Sequence, residues 1–89
     1  MRAIVTVVGP DRVGIIAEVC GLLAKLNINI VDISQTVMED FFTMMMLTDT
    51  SQANTDFDGI ADALAKKGEE MHLSIRVQRE DIFNAMHKI

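Results

Sequence analysis

An α+β fold, a four-stranded antiparallel sheet with two helices on one face, follows from three features of this 89-residue chain. Apolar residues change period along it in the order strand, helix, strand, strand, helix, strand. The first and third strand candidates are nearly continuous apolar runs, whereas the last alternates apolar with polar residues, as an edge strand does. The single proline, Pro10, lies at the first strand-to-helix junction rather than inside a later element. This βαββαβ order is the split βαβ, or ferredoxin-like, arrangement, with the first and third strands in the middle of the sheet. One domain over residues 1–80 accounts for it, leaving residues 81–89 as a tail that can form a short helix.

Each element has a local reason. "RAIVTVV", residues 2–8, is rich in β-branched residues and stops at a Gly-Pro pair, which predicts a strand. From 13 to 26, Ile16, Val19, Cys20, Leu23 and Leu26 recur at helical spacing, with Ile15 and Leu22 widening the stripe. Asp11 is a natural N-cap for that helix, and Lys25 and Asn27 suit its end. Residues 28–40 and 41–50 read as two strands joined by a tight acidic turn at Glu39-Asp40. Asn54 or Thr55 is expected to cap a second helix whose inner face is Phe57, Ile60, Ala61 and Leu64, with Gly68 closing it. Asp62 and Lys66, four apart, form a pair on its outer face. "MHLSIRVQRE", residues 71–80, then alternates, placing Met71, Leu73, Ile75 and Val77 on one face and His72, Ser74, Arg76 and Gln78 on the other.

Composition narrows the function. The chain is 49% apolar, with 24% charged residues and a formal charge of −5, and its eight Lys and Arg are scattered, which disfavours binding to a nucleic-acid backbone. A lone Cys20 cannot form an internal disulfide, the apolar run after Arg2 breaks at Gly9 before a secretion signal could form, and no stretch is long enough to span a bilayer. A cytoplasmic protein that engages no nucleic acid and no membrane is expected.

Strands one and three are apolar on both faces. Ala3, Val5 and Val7 back onto Ile4 and Val8, and Phe41, Met45 and Leu47 onto Phe42, Met44 and Met46. Both helices lie on one side, so the other face calls for cover, and a homodimer supplies it. The competing source is the C-terminal "DIFNAMHKI", whose Ile82, Phe83, Met86 and Ile89 form a short apolar stripe.

The junction "GPDRVGI", residues 9–15, concentrates the proline, two glycines and an adjacent Asp and Arg. The first-turn N–H groups near Arg12 to Ile15 lack intrahelical partners and carry the positive end of the helix dipole, so they suit a carboxylate. With Asp11 as the cap, Gly14 falls inside the first turn at a cost of up to about 1 kcal/mol, which close backbone approach would justify. The plainer alternative is a capped, stiffened turn that holds nothing.

The segment "VVGPDRVGIIAEVCGLLAKLNINIVDISQT" resembles the first half of an ACT domain. Among ACT domains it is most similar to those with a Gly-Pro-Asp-Arg-x-Gly turn: single and double ACT proteins of the glycine-cleavage-repressor type and the amino-terminal domain of formyltetrahydrofolate deformylases. The likeness covers the whole chain in element order, is specific over residues 9–36 and weak after Phe42. It implies a regulatory module that pairs through its sheets and binds a small amino acid where the first turn meets a neighbouring subunit. By position it implies ligand contacts at Asp11, Arg12, Val13, Gly14 and Ile15, with Asn27 and Asn29 completing the pocket. For Asn27 the alternative is a helix C-cap, and for Asn29 a solvated residue at a strand start. The regulated protein would be a separate chain.

Rival functions on the same fold lack their residues. A small hydrolase of the acylphosphatase type would need a glycine-rich phosphate loop with an arginine and an asparagine on a central strand, where "FFTMMML" stands instead. Ser34, Ser51 and Ser74 have no histidine in a nucleophile motif, and His72 and His87 fall on the last strand and in the tail, both expected at the surface. A metal carrier would want a Cys-x-x-Cys pair, whereas Cys20 stands alone on a helical apolar stripe as a buried, inert thiol. An RNA-binding sheet needs aromatics on strand one and a basic surround. The seven methionines read as core and interface filler. No enzyme activity, cofactor or metal is expected. The remaining alternative is an interaction module that binds a protein partner and holds no small ligand.

Overall fold

A computed structural model describes residues 1–10 and 14–82 of the chain. The element order is β1 (Arg2–Pro10), α1 (Ile15–Lys25), β2 (Asn29–Met38), β3 (Phe41–Asp49), α2 (Phe57–Met71) and β4 (Ser74–Arg79). The strands form one antiparallel sheet in the order β2-β3-β1-β4, so the two apolar runs are central, as their composition predicts.

Alternation along the central strands divides the sheet into two faces. Ala3, Val5 and Val7 of β1 and Phe42, Met44 and Met46 of β3 are buried under the helices, against Ile15, Val19 and Leu23 of α1 and Ile60 and Leu64 of α2. Thr48 is the buried polar side chain on this face, and its hydroxyl donates to the Ala3 carbonyl at 2.8 Å. The opposite face carries Ile4, Val8, Met45, Leu47 and Phe41, of which Phe41 is 62% exposed. Both halves of the two-faced reading of β1 and β3 are therefore present. Residues 83–89, which hold most of the tail that is the competing source of cover for that face, and His87 with it, lie outside the described residues.

Several element ends differ from their sequence expectations. β1 runs on through Gly9 and Pro10 because Pro10 pairs only with Phe41, β4 having ended opposite Val8, so no second ladder needs its missing N–H. Gly9 is buried where a Cβ would run into the Leu73 side chain. α2 is capped by Asp56, not by Asn54 or Thr55: its carboxylate accepts from the Gly59 N–H at 2.8 Å. Gly68 does not close α2 but is buried within it, where a Cβ would lie 2.7 Å from the Leu73 carbonyl oxygen. The helix ends one turn later at His72, left-handed at φ 57, with the Leu73 N–H on the Gly68 carbonyl at 2.8 Å. β4 is accordingly shorter than 71–80, and the exposed His72 belongs to the turn rather than the strand. The predicted hairpin turn is present, with Met38 opposite Phe41 and Glu39 left-handed at φ 53. Lys66 and Asp62 pair at 3.3 Å on the outside of α2.

Candidate ligand site at the two ends of helix α1

The start of α1 is built differently from its sequence expectation. The helix begins at Ile15, and its N-cap is Gly14 at φ 91, ψ −5, not Asp11. That left-handed conformation is the reason for a glycine, since every other residue pays for it with its Cβ. Close approach of the described residues is not the reason: a Cβ on Gly14 would meet nothing within 4 Å. Glycine also offers no side-chain oxygen to the first-turn N–H groups, while its carbonyl accepts from Glu18 N–H at 2.9 Å. The first turn thus presents donors and the positive end of the dipole without a side-chain cap from its N-cap residue. Ile15 is buried in the core and anchors this end, whereas Asp11, Arg12 and Val13 lie outside the described residues.

The other end of α1 is tied down by its own backbone and by the β3–α2 loop. Asn27 is left-handed at φ 60, its N–H bonds the Ala24 carbonyl at 3.0 Å, and Ile28 N–H bonds the Leu23 carbonyl at 2.9 Å. This is the paired closing pattern of a Schellman turn, sealed by the buried side chains of Leu23 and Ile28. The structure thus bears out the helix-ending role of Asn27. Its Nδ2 also donates to the Gln52 carbonyl at 2.7 Å, and Asn54 returns two bonds, from its N–H to the Leu26 carbonyl at 3.0 Å and from its Nδ2 to the Lys25 carbonyl at 2.8 Å. Asn27, Asn29 and Gln52, with Ala24 and Ile28, line a depression of about 350 Å³. Gln52 has no local sequence signal that would mark it, because only the fold of the loop brings it to this place.

Within one chain the described members of the predicted set do not converge. Gly14 and Ile15 stand at one end of the 11-residue α1 and Asn27 and Asn29 at the other, about 16 Å apart at the helical rise of ~1.5 Å per residue.

Between α1 and α2 lies a second depression, of about 300 Å³, lined by Glu18, Lys25 and Lys67, of which Glu18 and Lys67 pair with each other. Lys67 Nζ reaches Glu18 Oε2 at 3.3 Å and Glu70 Oε2 at 3.5 Å, and the bond to Glu18 holds its ammonium above the usual lysine range. Cys20 is half-buried at the flank of the α1 stripe rather than inside it. Among the described residues no group of three or more His, Cys, Asp or Glu could hold a metal ion, and no helix is long and apolar enough to cross a membrane.

Comparison with known proteins agrees with this geometry. The family model for the ACT domain matches residues 2–78. A UPF0237 protein of Listeria monocytogenes is 57% identical over 89 residues, covering 100% of both chains. Among solved structures, an ACT domain protein from Streptococcus pneumoniae superposes with a TM-score of 0.82 at 42% identity, over 93% of each chain. A formyltetrahydrofolate deformylase from Pseudomonas syringae gives 0.80 at 30% identity, over 88% of this chain and 27% of that one. A chain described as a glycine cleavage system transcriptional repressor gives 0.76 at 28% identity, over 86% and 44%. These are the relatives that the Gly-Pro-Asp-Arg-x-Gly turn points to, and the chain belongs to the ACT domain family, whose members are regulatory modules that bind small ligands.

Proposed function

We propose that this protein is a cytoplasmic, non-catalytic homodimer that binds an amino acid or a related small metabolite at the Gly9–Ile15 turn and thereby modulates a separate protein. The observation that carries this reading is Gly14. A residue held at φ 91 as an N-cap with no side-chain acceptor leaves the first-turn donors of α1 to an external carboxylate. In this reading Asp11 accepts from the ligand ammonium, Arg12, Val13 and Ile15 frame the turn, and Asn27 and Asn29 join from the second copy. A second copy is what unites the two ends of α1, and exposed apolar side chains on β2 and β3 give it somewhere to bind.

Calorimetry and a thermal-shift screen of the twenty amino acids and folate-related metabolites test the ligand, with Asp11→Ala as the control. Ligand at about 100-fold over its Kd stabilises a one-site protein by about 2.7 kcal/mol, a shift of several degrees for a domain of this size. That shift is expected for one compound or a small set and is lost in Asp11→Ala. No shift with any compound replaces this reading with that of a protein-interaction module without a small ligand.

A further inference from the structure

We infer that residues 83–89 fold back across the open face of the sheet, continuing a helix that starts at Glu80, so that this chain covers its own apolar face. The tail, rather than a second copy, then covers Ile4, Met45 and Leu47, and the inference does not depend on the proposed ligand site. The chain leaves the sheet on the side this requires. β4 ends with Arg79 opposite Ala3, and residues 80–82 are helical. Ala3 is buried beneath the helices, so by alternation Arg2 projects from the open face, where it holds the Glu80 carboxylate at 3.3 Å. The first helical residue after β4 is therefore pinned to the open side, at the Arg2 end of β1. Ile4 and Leu47, paired across β1 and β3 next to that end, are half-buried, whereas Val8 and Phe41 farther along are 38% and 62% exposed. A depression of about 220 Å³ lined by Ile4, Asp32, Ser34, Met45 and Leu47 marks the same half of the face.

The residues that follow have the pattern such a cover needs. At about 100° per residue from Glu80, one arc of a helix takes Ile82, Phe83, Ala85, Met86 and Ile89, and the other takes Glu80, Asp81, Asn84, His87 and Lys88. Acids come first and bases last, the order that the helix dipole favours. Ile82 itself is 47% exposed, so the contact falls to Phe83, Met86 and Ile89. Length agrees with the span: ten helical residues rise about 15 Å, and three strand spacings of ~4.8 Å carry the sheet from β4 to β2 over about 14 Å.

A short amphipathic helix suits this face better than a second copy does. Thr6, Thr43, Ser34, Thr36 and Arg76 interrupt its apolar side chains, leaving a patch that is small beside the roughly 800 Å² per partner of a stable interface. A segment tethered at Ile82 also meets the face at an effective concentration on the order of millimolar, which a separate molecule at micromolar concentration does not reach.

Thiol labelling of the full chain tests this. In a Cys20→Ala background, Leu47→Cys is expected to react about tenfold faster once Phe83→Ser and Met86→Ser are added, since the cover no longer has to open first. Val37→Cys, 54% exposed and opposite Phe42 on the helix side of the sheet, reacts at one rate with or without the tail changes. Circular dichroism and a cooperative melt establish that each variant is folded. Ile4→Cys gives the same comparison should Leu47→Cys not fold, and Met86→Ser alone is the milder tail change. Equal Leu47→Cys rates with and without the tail changes would overturn the inference. Equal rates that slow as protein concentration rises would overturn it in favour of a second copy on this face. An amino-acid response in calorimetry, or its absence, bears on the ligand site alone.

Discussion

Gly9, Gly14 and Gly68 occupy their positions for different reasons. Gly14 meets a backbone demand, φ 91 in open space, whereas Gly9 and Gly68 meet steric ones, because Leu73 leaves no room for a Cβ at either. Gly14→Ala is expected to cost about 1–2 kcal/mol in chemical denaturation, the price of a left-handed Cβ, and Leu73→Ala will not relieve it. Gly9→Ala costs about 1–3 kcal/mol through overpacking, and here Leu73→Ala recovers part of the loss. A double-mutant cycle that showed equal coupling of Leu73 to both glycines would contradict the distinction.

At the scale of elements, helix ends carry the differences between expectation and structure. Asp56, Asn54 and Thr55 are all acceptable caps by composition, and the carboxylate that reaches Gly59 N–H is chosen by where the loop delivers the chain. Asn54 is instead spent on the last carbonyls of α1, joining the end of one helix to the approach of the next. Asp56→Ala is expected to lower stability by about 1 kcal/mol, as the loss of an N-cap does, with Asp56→Asn or Asp56→Ser nearly neutral by thermal denaturation. An equal loss for all three would show that Asp56 acts through something other than its capping oxygen.

At the scale of the whole molecule, two charged groups with displaced pKa values contribute to the pH dependence of stability. The Asp49 carboxyl is held below the usual range, first by the Ser51 backbone N–H at 2.9 Å and then by the Ser51 hydroxyl. A carboxyl that holds its proton less tightly in the native state contributes stability above its ordinary pKa of about 4, and that contribution fades as pH falls through the lowered value. Lys67 has the opposite sign: its raised pKa contributes below the ordinary lysine value and is lost as pH climbs through the raised one. The contribution of these two groups is therefore level between these limits and declines beyond both, with Asp49→Asn expected to reduce the acid-side slope in urea titrations across pH. Both groups are at the surface, so added salt should shrink the effect.

What the amino-acid sequence determined by itself was the order of elements, the central place of β1 and β3, the two-faced character of those strands and the family, because period and hydropathy are properties of neighbouring residues. The ACT resemblance was legible because its signature is local, the six residues of the Gly-Pro-Asp-Arg-x-Gly turn. Tertiary structure alone decided the rest. It placed the α1 cap at Gly14 rather than Asp11, carried α2 past Gly68 to His72, and drew Gln52 against Asn27. It also left Ile33 and Val37 of β2 bare while Val5 and Val7 of β1 were buried. Each of these depends on a contact, or a missing contact, between segments far apart in the chain. The junction of β1 with α1, which reads in sequence as a capped turn, leads in the fold into a helix that starts on a left-handed glycine, a backbone choice that local composition does not reveal.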